Sequence, residues 1–93
     1  MQRTALKHIR TAVMAARTAA HAGKFDGCDV LDLEEIIQPV ERELDSNHPH
    51  ANTLATYLNS LARSLRAQPQ ARSIVLELDG AMREAGLPTD WEH

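Results

Sequence analysis

Leu6, Ile9, Val13, Ala16 and Ala20 are separated by 3, 4, 3 and 4 positions. That rhythm draws one apolar edge along an α-helix; a strand, whose side chains alternate, cannot gather it onto one face. The rhythm recurs in Val30, Leu33, Ile37, Val40 and Leu44, with Ile36 alongside. It recurs again in Ala51, Leu54, Leu58, Leu61 and Leu65, and in Ala71, Val75, Leu78, Met82 and Ala85, with Ile74 alongside. An amphipathic stripe has to be covered by another one. The chain is therefore expected to be all-α, an up-down-up-down antiparallel four-helix bundle. No internal sequence repeat accompanies the shared period.

The core must be aliphatic, because Phe25, Tyr57 and Trp91 are the only aromatic residues among 93. Ala and Leu, which dominate, favour helices. The length suits one domain that buries roughly two-thirds of its unfolded surface.

Helix ends are written in the same sequence. Gly23 follows the first stripe and suits a left-handed stop. Asp29 is placed to cap the second helix, with Asp32 in its first turn and Cys28 packed on Leu33 as a hydrophobic staple. "SNHPH" separates the second helix from the third, with Ser46 or Asn47 as cap and Pro49 in the first turn. Pro69 starts the fourth helix, and Gly86–Leu87–Pro88 ends it. Pro39 lies inside the second helix, removes a backbone donor and predicts a kink near it. The bundle is expected over residues 1–87, with 88–93 as a C-terminal tail.

Charge selects the neighbours. Residues 1–24 carry five basic side chains and no acid, and residues 25–46 carry eight acids and Arg42. Residues 47–72 carry three Arg and no acid, and residues 73–93 carry five acids and Arg83. The sign alternates helix by helix, so every adjacent pair in a square bundle is opposite in charge. Exposed pairs are individually weak, below about 1 kcal/mol, but together they discriminate between arrangements.

Cys28 is the only cysteine, so the fold is expected to need no disulfide and no oxidising compartment. No apolar run approaches the ~18 residues of a membrane span. "MQRTALKHIR" lacks the apolar centre of a secretory signal. A cytoplasmic protein is expected, with no membrane partner. Arg outnumbers Lys eight to two and Ala is abundant, which points to a GC-rich bacterial genome.

The most chemical stretch is "TAAHAGKFDGCD", Thr18 to Asp29. His21 followed three positions later by Lys24, on a helical chain of this length, resembles the histidine-phosphotransfer domains. The resemblance implies a phosphoacceptor His21 assisted by Lys24, a phosphorelay carrier. Phe25 stands where that family has glycine, and Gly23 falls between the pair. The alternative is a helix C-terminus at which both cations complement the dipole, and this reading is preferred. Cys28 as a nucleophile paired with His21 is likewise outweighed by its role as a staple.

Asp45, His48 and His50 are weak candidates for metal ligands, because carboxylate and imidazole suit zinc or nickel. They would have to converge from one turn, and no Glu-x-x-His accompanies them. No metal and no cofactor is expected. Arg3, Lys7, Arg10 and Arg17 form a basic stripe on the first helix. Acidic second-helix residues are expected to cover it, and no aromatic platform accompanies it, so nucleic-acid binding is not expected.

Apolar surface in excess of one small core suggests a partner. Ala5, Ala12, Ala15, Ala19 and Ala22 form a second face of the first helix. Leu31 and Leu76 point away from their own stripes. These residues, with Trp91 as either a fold-back onto the bundle or a docking anchor, are the expected partner-binding set. No nucleophile–base–orienter group is present. The chain is thus expected to be a non-enzymatic helical protein-interaction module of adaptor, inhibitor, immunity or secretion-chaperone type. A homodimer is the expected state.

Overall fold

The computed structural model describes residues 3–25 and 30–89. Among them are four α-helices and no strand: α1 (Arg3–His21), α2 (Val30–Asp45), α3 (Ala51–Arg66) and α4 (Arg72–Glu84). A single 3₁₀ turn, Pro69–Ala71, leads into α4. Helix α1 packs against α2 and α4, and α3 packs against the same two, so the helices close a ring.

The stripes form the core as the spacing requires. Ile9, Val13, Ala16 and Ala20 of α1 meet Leu33, Ile37, Val40 and Leu44 of α2 in one buried cluster. Leu54, Leu58, Leu61 and Leu65 of α3 join Val75, Leu78 and Met82 of α4 in the same cluster. Ala51 is exposed. It opens α3, and a helical Cβ tilts toward the N-terminus, off the end of the stack. Ala5, Ala12, Ala55, Ala62 and Ala81 are also buried. Small side chains along a second edge of α1, α3 and α4 allow a ring of four to close.

Two glycines end helices by the same device. Gly23 has φ 73° and Gly86 has φ 75°, a conformation costly for residues with a Cβ. At the first, Lys24 N–H donates to Ala19 O (3.1 Å) and Gly23 N–H to Ala20 O (3.1 Å). At the second, Leu87 N–H donates to Met82 O (2.9 Å) and Gly86 N–H to Arg83 O (3.0 Å). Both are Schellman patterns, which satisfy carbonyls that the helix end would leave open. Each reversal returns an apolar residue to the core, Phe25 in one case and Leu87 in the other.

The start of α3 departs from expectation. Its N-cap is His50, not Ser46 or Asn47, and no side chain caps it. Ser46 Oγ instead donates to Glu43 O (2.9 Å) and finishes α2. Glu43 reaches across the turn and accepts the His50 N–H at 2.7 Å. A carboxylate on the preceding helix thus fixes the entry to α3. Pro69 opens the 3₁₀ turn as its first residue, with Gln68 as N-cap. Pro39 lies inside α2, and the helix is continuous from Val30 to Asp45. The Asp29 cap and the Cys28 staple lie outside the described residues.

Candidate functional site

The basic stripe of α1 divides between structure and surface. Arg17 sits where α1 crosses the acidic edge of α2 and donates to Glu34 through Nε (2.8 Å) and Nη2 (3.1 Å). It also donates to Glu41 through Nη1 (3.0 Å) and Nη2. Arg10 donates to Asp45 at 2.7 Å. The guanidinium of Arg17, held by Glu41 first and Glu34 second, is raised above its ordinary basicity. The Glu34 carboxyl is held below its ordinary range, chiefly by Arg17 and then by His21, against the opposing effect of burial. Arg10 and Arg17 are therefore engaged by α2, while Arg3 and Lys7 remain exposed.

His21 is the last residue of α1, and its Nε2 lies 3.1 Å from Glu34 Oε1. A phosphoacceptor nitrogen needs an open approach for an anionic donor; here a carboxylate stands against it. Lys24 follows the Schellman turn, exposed, and its backbone closes that turn. The pair therefore stands at the C-terminal end of α1.

Asp45 is bonded to Arg10, and the backbone of His50 is bonded to Glu43. Asp45, His48 and His50 are not drawn together. Among the described residues no group of three or more His, Cys, Asp or Glu is placed to hold a metal ion. None of the described helices is long and apolar enough to cross a membrane.

The partner-binding set separates by depth. Ala5 and Ala12 are buried by the chain's own packing, and only 2% of Ala12 is exposed. Ala15 and Ala19 are half-buried and border, with Thr11, Thr18 and Ala22, a groove that Ile74 of α4 closes. Toward the other end of α1 a second depression, sharing Thr11 with the first, lies between His8 and Thr11 on one wall and Glu77, Gly80 and Glu84 on the other. His8 Nδ1 lies 2.8 Å from Glu84 Oε2 across it. Met14 (44% exposed) and Leu76 (55% exposed) stand beside the groove on α1 and α4. Leu31, 73% exposed, belongs to α2, diagonally across the ring from α4. Leu31 and Leu76 are thus two surfaces. Trp91 lies outside the described residues.

Met14, Gly80 and Asn59 escaped the sequence reading. Met14 carried a usable signal, since it falls off its own stripe as Leu31 and Leu76 do. Gly80 carried another, an isolated glycine inside a helical stripe. Asn59 carried none. It is 7% exposed on α3, where Nδ2 donates to Ala55 O (2.8 Å) and to Pro88 O (3.1 Å). The second bond ties the segment after α4 to α3. Asn59→Ala is expected to lower stability by about 1 kcal/mol, the usual net worth of such bonds. In a chain ended after Leu87 the same substitution should cost less, because the Pro88 carbonyl is gone. A urea-unfolding double-mutant cycle measures the difference, and equal costs would show that the tie contributes nothing.

No protein-family model matches this chain, and no curated protein or solved structure matches it.

Proposed function

We propose that the chain is a non-enzymatic helical protein-interaction module of adaptor, inhibitor, immunity or secretion-chaperone type. It works in the cytoplasm and uses the α1–α4 face. The observation that carries this reading is Gly80. It lies within α4, where glycine costs about 1 kcal/mol relative to Ala. A Cβ built on it meets no atom within 4 Å, so the chain's own packing does not require a glycine there. A glycine between the Leu76 ridge and the small residues of α1 allows a second backbone to approach closely.

The first partner we propose is a second copy, related by a two-fold axis. An axis running along the face would lay basic α1 of one copy on α4 of the other. Met14 would meet Leu76, and Lys7 would meet Glu84. The face presupposes the up-down-up-down order. That order is supported by partners that run oppositely along α1 and α2: Arg10 with Asp45, Arg17 with Glu41 and Glu34, His21 with Glu34. Along α1 and α4, His8 is beside Glu84, while Ala19 and Ala22 are beside Ile74. A bend of α2 near Pro39 belongs to the same proposal, because proline lacks the N–H that the preceding turn would use.

Light scattering at micromolar concentration should give twice the chain mass, and Leu76→Arg should return it to the monomer with its circular dichroism unchanged. Lys7→Glu and Glu84→Lys should each weaken pairing, and an equimolar mixture of the two should restore it. A wild-type monomer at all concentrations would remove the homodimer. A photocrosslinker at Leu76 would then test for another protein in the native host. Absence of any Leu76-dependent adduct would overturn the interaction reading.

A further inference from the structure

We propose that the corner where α3 passes into α4 binds an oxyanion carried on an apolar body. A cavity of about 460 Å³ lies there, and its polar lining is Arg66, Gln68 and Arg72. Its apolar lining includes Leu65, Val75 and Leu76. Among the described residues no carboxylate lines it, and Arg72 contributes a guanidinium to the wall beside Gln68. The block of residues 47–72 from which they come contains no acid at all.

Gln68 is the second, independent observation. It is only 9% exposed, yet its side chain makes no hydrogen bond among the described residues and does not cap the helix that follows. A buried amide left unpaired is costly, and each such group calls for a partner. Its N–H groups are suited to an acceptor in the cavity beside it. The N-terminal end of α4, whose first residue is Arg72, adds the positive end of a helix dipole. Arg supplies a planar fork that matches carboxylate and phosphate oxygens. The aliphatic half of the lining favours an anion with a short hydrocarbon body over a bare ion. This site stands apart from the α1–α4 face, except that Leu76 borders both.

The test is a titration followed by the side-chain amide signal of Gln68 and the Nε–H signals of the arginines in ¹⁵N-labelled protein. Butyrate, acetate and inorganic phosphate are added at constant ionic strength against a chloride control. Saturable shifts at Gln68 and Arg72 are expected, with butyrate binding more tightly than acetate. Gln68→Leu and Arg72→Gln should each weaken binding about tenfold, the loss of one charge-assisted hydrogen bond. Gln68→Leu removes a buried unpaired amide, so it is expected to fold at least as well as wild type. Tighter binding of phosphate than of butyrate would keep the oxyanion site and assign it to phosphate esters. Shifts no larger than those with chloride, or binding unchanged in Gln68→Leu, would overturn the proposal whatever the oligomeric state.

Discussion

Ala12→Glu is expected to unfold the chain rather than to separate a pair of chains. Ala12 is 2% exposed in the packed core. The longer side chain overpacks a site filled by a methyl group, at about 1–3 kcal/mol. Its charge must also be desolvated or protonated, which adds several kcal/mol. A domain of this size has a margin of roughly 5–15 kcal/mol, with small ones at the low end. Far-ultraviolet circular dichroism should therefore show loss of the cooperative melt or a midpoint far below wild type. Ala15→Glu, three residues on and half-buried at the groove, should keep the fold. A folded Ala12→Glu chain with a wild-type midpoint would mean that the core does not close over Ala12.

Arg17→Met is expected to cost about 2–3 kcal/mol at pH 7, the worth of hydrogen bonds to charged groups, and to lower Tm by roughly 10 °C. It also flattens the acid limb of the pH dependence. In the wild-type chain the folded state holds the Glu34 carboxyl below its ordinary 4.5, mainly through Arg17. The stability that this contributes is present above the unfolded value and is lost as pH falls through the folded one. Wild-type stability should thus decline in the window that begins near the ordinary value and extends below it. Without Arg17 the main cause of the lowered Glu34 value is gone, and His21 remains beside Glu34. The variant should therefore lose less stability than the wild type as pH falls through the same window. Urea midpoints between pH 7 and pH 3 measure both slopes, and parallel curves would show that Arg17 does not set the acid limb.

The four helices were legible because a period of 3.6 residues leaves a repeating trace in the chain. Ile9 to Ala20, Leu33 to Leu44, Leu54 to Leu65 and Val75 to Met82 could be placed on inner faces from spacing alone. The stops at Gly23 and Gly86 were equally legible, since only glycine adopts the left-handed turn cheaply. The engagement of Arg10 and Arg17 by α2 followed from opposite charge blocks on consecutive helices.

What could not be read depends on residues far apart in the chain. The sequence by itself determined four amphipathic helices, their approximate ends and the pairing of basic α1 with acidic α2. Only tertiary structure decided which alanines of α1 are spent inside and which remain outside. Ala12 and Ala15 are chemically identical, and the direction from which α4 approaches separates them. The same holds for Gly80, Gln68 and Asn59, whose surroundings are set by helices that close a ring. Local periodicity fixes a side chain's angle around its own helix. Only the packing of the other helices fixes whether that angle faces a neighbour, a cavity or water.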